Sequence, residues 1–419
     1  MKKKIIVFGI VYLILTVGII FMMRNFDNLS MISNISFLGI IILLIPIIAY
    51  LIFNKKRKQT LIVGVPVLVM YAASIFIIHL FNPQILRDTY IPISYKPFNW
   101  EHNISNQSSE LNIILEKVEE IDRIQSIAII QNGKLKAEKY YHGASENNAF
   151  NVRSVTKTVI SLLIGIAIEE NIIDSLNQPI VDFFPEFKGM VNDERKLKIT
   201  VKDLLTMKAG FAYDCYDCTE HLFTQVPLIN EPGKTFLYSN VSFNLLSEII
   251  HRQSKKNTID YATEKLFKPL GIQTTKWNEL TSGTSTGADG LYLATHDMAR
   301  IGYLMLNHGE IDSLTIVPKD WIKKMLIDYN QNKNDDWVYG PTDSYIEKGY
   351  GLGVWITETK GHNTYTARGH GGQMIHVIPD KELVIAITQK DLFMRPNEHI
   401  DKPDLLFKIF DTFIKEINY

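Results

Sequence analysis

Three long apolar stretches open the chain. Ile5–Met23, Ile35–Phe53 and Leu61–Phe81 contain no Asp, Glu, Lys or Arg, and each approaches the roughly 20 apolar residues that a helix needs to cross a bilayer. They predict three transmembrane helices. Pro46, Gly64 and Pro66 are compatible with this, since membrane helices tolerate such residues where neighbours satisfy the freed backbone groups. His79 falls near the outer end of the third span, within reach of the interface. A cleaved signal peptide fits the first stretch less well, because its apolar core is long and no small-x-small site follows.

The pattern then changes. Residues 82–108 hold Pro83, Pro92, Pro97 and the polar run N-I-S-N-Q-S-S, which reads as a tether. From Ser109, a candidate cap, the apolar positions Leu111, Ile114, Leu115, Val118 and Ile121 fall on one helix face. S-I-A-I-I-Q and K-L-K-A-E-K-Y-Y flank Asn132-Gly133, the dipeptide best suited to a two-residue hairpin turn. A mainly helical middle follows. Beyond Gly349 come the short runs G-L-G-V-W-I-T, Y-T-A-R, M-I-H-V-I and L-V-I-A-I, then an amphipathic helix from about Leu405 to Ile417. Strands at both ends with helices between predict an α/β fold of the α+β type, one antiparallel sheet flanked by helices beside a mainly helical region. The expected organisation is a membrane anchor over 1–81, an extracytoplasmic linker over 82–108 and a globular domain over 109–419.

Composition excludes some classes and charge sets the orientation. With 46% hydrophobic residues and 44 basic against 45 acidic side chains, neither a disordered chain nor a basic nucleic-acid binder fits. Lys2, Lys3 and Lys4 precede the first span, and Lys55, Lys56, Arg57 and Lys58 separate the second from the third. The positive-inside rule places both clusters in the cytoplasm. A multi-pass membrane protein with its large domain outside the cytoplasm is therefore expected.

Three segments carry candidate chemistry. In N-V-R-S-V-T-K-T-V-I-S-L-L, Ser154 and Lys157 stand three residues apart at the start of an apolar run, so a helix puts the amine beside the hydroxyl. The Ser154 backbone N–H at a helix start is free to meet an oxyanion, and burial disfavours a charged ammonium, which suits a base. In E-P-G-K-T-F-L-Y-S-N-V, Tyr238 and Asn240 sit between a Pro-Gly turn and a helix start, where a phenol beside a Lys can shuttle protons. In A-R-G-H-G-G-Q-M-I-H-V-I, His370, Gly371 and Gly372 lead into a strand. Those glycines permit close backbone approach, and the Gln373 N–H is a candidate second oxyanion donor. Singly, each segment is explained by a capped helix, a core tyrosine or a glycine bend; their order together is harder to obtain by chance.

On these motifs the domain resembles the serine β-lactamase and penicillin-binding-protein superfamily, nearest to the class C β-lactamase-related esterases and amidases. The resemblance runs from about residue 124 to the C-terminus and includes Y-Y-H-G, D-S-L-N-Q-P-I-V-D-F-F-P-E, I-T-V-K-D-L-L-T-M-K-A-G-F, L-F-K-P-L-G-I and G-L-Y-L-A-T-H-D-M-A-R-I-G. It implies Ser154 as acylated nucleophile, Lys157 as proton acceptor, Tyr238 as catalytic phenol and Asn240 as substrate-amide ligand. Where many members carry a Lys in the third motif, this chain has His370, mostly neutral at pH 7. That departure argues against β-lactam turnover and leaves ester or amide hydrolysis open; if His370 faces the acyl pocket, neutral substrates are expected over penicillins.

The remaining polar features suggest less. Cys215 and Cys218 with His221 give only three metal ligands, so a local disulfide fits better outside the cytoplasm. Capping and surface charge account for His296 and Asp297. No H-E-x-x-H, Walker loop or dinucleotide fingerprint occurs, and no cofactor or metal is expected. The expectation is a membrane-anchored serine hydrolase acting on a small ester, amide or peptide, associated with the bilayer and not with nucleic acid. A D,D-peptidase or β-lactamase acting on wall peptides, and a non-turnover membrane receptor, are the alternatives.

Overall fold

The computed structural model describes residues 90–92, 109–119, 123–273, 276–330 and 345–390. The chain divides into two units, Met1–Arg87 and Asp88–Tyr419, and every described residue belongs to the second. The three expected spans, most of the linker and the terminal helix from Leu405 lie outside the described residues. Among the described residues no helix is long and apolar enough to cross a membrane.

In chain order the strands are β1 (Tyr90–Pro92), β2 (Ile124–Gln131), β3 (Lys134–Tyr140), β4 (Asn148–Asn151), β5 (Tyr292–Leu293), β6 (Glu310–Ile311), β7 (Leu314–Thr315), β8 (Tyr345–Tyr350), β9 (Trp355–Thr359), β10 (His362–Gly369), β11 (Gln373–Ile378) and β12 (Leu383–Gln389). The longer helices are α1 (Ser109–Glu119), α2 (Thr156–Glu169), α3 (Asn240–Ser254) and α4 (Thr295–Leu306).

Seven strands form one antiparallel sheet in the order β3-β2-β12-β11-β10-β9-β8. Early and late strands meet where β2 pairs with β12, as the sequence implies. Asn132 and Gly133 turn the β2–β3 hairpin with φ of 49° and 71°, the two positive values that a tight right-twisted hairpin requires. Alternation along β2 feeds two cores: Ile127 and Ile129 pack with Leu111, Leu115 and Val118 of α1, while Ala128 and Ile130 face the larger cluster that includes α2 and α4. A Cβ at Gly302 would come within 2.5 Å of Val384 and 2.7 Å of Ile375. Only a residue without a side chain lets α4 lie this close to β11 and β12.

Three readings change. Tyr90–Pro92, expected within a tether, form a strand paired with β4, and Pro92 ends it at a sheet edge where no ladder N–H is needed. β8 escapes the alternation rule because Y-I-E-K-G-Y mixes charge and glycine. His296 and Asp297 are buried rather than surface charges. His296 Nδ1 lies 3.1 Å from Glu138 Oε1, and Arg300 donates to Asp297 at 2.9 Å. Burial still pushes the Asp297 carboxyl above the usual range. This ionic cluster fastens the start of α4 to β3.

Candidate active site

Ser154 lies in a tight turn, Arg153–Val155, that opens α2. Arg153 just before it has φ of 52°, a left-handed conformation that costs a non-glycine residue about 1 kcal/mol or more. Local hydrogen bonds hold it: Asn151 Oδ1 accepts the Arg153 N–H at 3.0 Å, and the Thr156 hydroxyl donates to the Arg153 carbonyl at 2.6 Å. The helix then continues into the core, with Thr156 through Ala167 all buried.

Lys157, 1% exposed, is the junction of the site. Its Nζ donates to Ser154 Oγ at 3.0 Å, to Asn240 Oδ1 at 2.9 Å and to the Ala288 carbonyl at 2.8 Å. The last two oxygens only accept, so they fix two N–H vectors. The Ser154 hydroxyl is the one partner of the three that can also donate. When the amine loses a proton, its lone pair therefore points at Ser154, the arrangement a base needs to draw the hydroxyl proton.

Tyr238 and Asn240 arrive from the loop and first residue of α3. The Lys157 Nζ stands 5.0 Å from the Tyr238 ring centre and 6.0 Å from that of Phe243. The Tyr238 ring stacks on Trp355 with centroids 6.1 Å apart and planes at 9°, and Tyr350 meets Trp355 edge-on at 4.9 Å. Burial, and then the neighbouring Tyr238, push the Tyr350 phenol well above its usual range. Arg368 stacks over the Trp355 ring at 5.4 Å and pairs with Glu347.

The third segment closes on the Ser154 turn through backbone. A Cβ on Gly369 would meet the Val152 carbonyl oxygen at 2.4 Å and the Arg153 Cβ at 3.0 Å, so the end of β10 rests directly against the Ser154 turn. Gly371 and Gly372 take φ of 76° and 89°, which lets the chain reverse into β11. The Gln373 side chain is buried and donates to the Gln389 carbonyl at 2.7 Å. His370 is an exposed residue whose imidazole pKa is nevertheless lowered, by desolvation first and then by the positive charges of Arg153 and Arg123. Positive charge is thus present beside this position, which the His-for-Lys comparison in the sequence did not reveal.

Sequence reading missed the scaffold behind these groups. Asn244 Oδ1 accepts the N–H groups of Gly287 and Ala288, each at 2.9 Å, and so aims the Ala288 carbonyl at Lys157. Its only sequence signal is the i, i+4 spacing from Asn240 on one helix face. Trp355 carried no more signal than its place in an alternating strand. Cys215 and Cys218 are joined as a disulfide, and His221 Nε2 lies 3.1 Å from the Tyr213 hydroxyl. Among the described residues no cluster of three or more His, Cys, Asp or Glu is placed to hold a metal.

The chain is similar in sequence and in fold to several known proteins. An uncharacterized protein of Alkalihalophilus pseudofirmus is 24% identical over 68% of the chain and 90% of its own length. Protein flp of Staphylococcus aureus is 27% identical over 40% of the chain, a match that spans only 37% of that protein. Among solved structures, a Bacillus anthracis protein assigned as a 6-aminohexanoate-dimer hydrolase superposes with a TM-score of 0.58 at 19% identity, covering 78% of this chain and 88% of that one. The Beta-lactamase family model matches residues 122–404, and with the fold and site described above the chain belongs to the beta-lactamase family of serine hydrolases.

Proposed function

We propose that the protein is a membrane-anchored hydrolase that forms an acyl-enzyme at Ser154 and cleaves a small ester or amide. The observation that carries this reading is the Lys157 amine, buried and held by two pure acceptors with its third position on Ser154 Oγ. In this mechanism Lys157 takes the Ser154 proton as Oγ attacks the carbonyl carbon. The backbone N–H groups of Ser154 and Gln373 receive the oxyanion, and Asn240 orients the substrate amide. Tyr238, beside the Lys157 ammonium, passes a proton to the leaving group. A water then attacks the acyl carbon and gives a proton to the Tyr238 phenolate, Lys157 returns its proton to Ser154 Oγ, and the acid is released.

His370, Gly371 and Gly372 border the acyl pocket in this reading. The absence of a lysine at 370 favours the esterase and amidase branch related to class C β-lactamases, and the name given to the Bacillus anthracis neighbour points to amide cleavage. The two basic clusters flanking the apolar stretches support an extracytoplasmic catalytic domain, an environment in which a disulfide persists.

One experiment tests site and topology together. A charged fluorophosphonate that does not cross membranes is added to intact cells and to lysed cells. The expected result is equal labelling in both, lost in Ser154→Ala. Labelling of another residue would overturn the nucleophile, and labelling only after lysis would overturn the orientation.

A further inference from the structure

We propose that Asp214 is a positioning residue for the reaction, acting through Asn240. Both oxygens of its carboxylate meet the start of α3: Oδ2 accepts the Asn240 N–H at 3.0 Å, and Oδ1 accepts the Val241 N–H at 2.8 Å and the Ser239 hydroxyl at 3.2 Å. Ser239 already caps this helix through the Ser242 N–H, so Asp214 supplies a second cap from a distant loop, with an anion set at the positive helix end. The residue it grips by the backbone is the one whose side chain holds Lys157 at 2.9 Å.

The loop bearing Asp214 is itself tied down. Residues 215–218 are closed by the Cys215–Cys218 disulfide. The Tyr216 carbonyl accepts from Asn244 Nδ2 at 2.6 Å, the Tyr216 hydroxyl donates to Asp289, and Asp217 Oδ2 accepts the Thr281 N–H at 2.7 Å. Asn244 also fixes Ala288, the other acceptor of the Lys157 amine. One short loop therefore braces both oxygens that aim Lys157 at Ser154. Asp214 is exposed, so water replaces its hydrogen bonds when it is removed, and loss of positioning rather than loss of fold is expected.

This inference rests on the Ser154, Lys157 and Asn240 reading. Its test is a double-mutant cycle on the full-length protein with Asp214→Ala, Asn240→Ala and both, reading the second-order rate of fluorophosphonate labelling and the thermal midpoint. Asp214→Ala is expected to slow labelling by roughly 10- to 100-fold, the scale of an ångström-level misplacement. In the Asn240→Ala background the same change is expected to add less than about 3-fold, since the residue it positions is gone. Should Asp214→Ala not fold, Asp214→Asn takes its place; it keeps the shape but sets an N–H donor against the helix N–H groups. Wild-type rates in either folded Asp214 variant, or equal factors in both backgrounds, would overturn the proposal. If the wild type is not labelled at Ser154, the nucleophile reading falls and this proposal falls with it.

Discussion

At the scale of single residues the site is defined by what each polar atom is able to do. Lys157 stands against two oxygens that cannot give a proton and one that can, and that asymmetry gives a base its direction. Lys157→Ala is expected to slow acylation by about 10²–10⁴-fold, the usual range for losing a general base, as read by stopped-time labelling. His370 invites a pH experiment. Desolvation and the charges of Arg153 and Arg123 oppose its protonation, so its folded pKa lies below the ordinary value of about 6.5. The rate ratio for carboxylate-bearing over neutral esters is expected to rise as pH falls, with its midpoint below that ordinary value. A midpoint between pH 8 and 7, or a ratio that still climbs in His370→Gln, would exclude His370 as the titrating group. Ser154, Lys157, Tyr238 and Asn240 were legible in the sequence because each pair is local, three or two residues apart. Asp214 was not, and Asn244 only through its spacing from Asn240, because their importance comes from contacts 26 and 43 residues away in sequence.

At the scale of elements, the site is made where strand ends and helix starts touch without side chains between them. Gly369 is the test case. Its missing Cβ leaves the Val152 carbonyl in contact with β10, and alanine there must push the strand from the nucleophile turn. Gly369→Ala is expected to cost about 1–3 kcal/mol of stability, as overpacking commonly does, and to reduce turnover more than 10-fold. Gly189→Ala, where a Cβ meets nothing within 4 Å, is expected to leave turnover unchanged. Urea melts and ester turnover on both variants decide it. The hairpin at Asn132-Gly133 and the late strands were readable from turn chemistry and alternation. β8 and the pairing of Tyr90–Pro92 were not, since a short edge strand is fixed by its partner's backbone rather than by its own pattern.

At the scale of the whole molecule, the strands β2, β11 and β12 are buried on both faces, and one consequence concerns acid. His376 lies fully buried in β11, with Thr366 Oγ1 2.8 Å from Nδ1 and Thr359 Oγ1 3.1 Å from Nε2, and burial takes its pKa down to about 3. The unfolded chain therefore binds a proton below pH 6.5 that the folded chain refuses until about pH 3, so stability falls as pH drops through that window, by about 1.4 kcal/mol per pH unit from this residue. His376→Gln is expected to flatten that part of the slope, measured by urea unfolding between pH 4 and 8; an unchanged slope would show that the imidazole does not control it. The joining of β2 to β12 has a further consequence for the life of the chain. Ser126 and Thr388, hydrogen-bonded partners across the sheet, are 262 residues apart in sequence, which at ordinary rates of synthesis is roughly 10–50 s. Through most of that interval the chain already carries Ser154, Lys157 and Asn240 but lacks the strand that pairs with β2. Until β12 arrives, that side of β2 is an open strand edge, exposed to pairing with other chains.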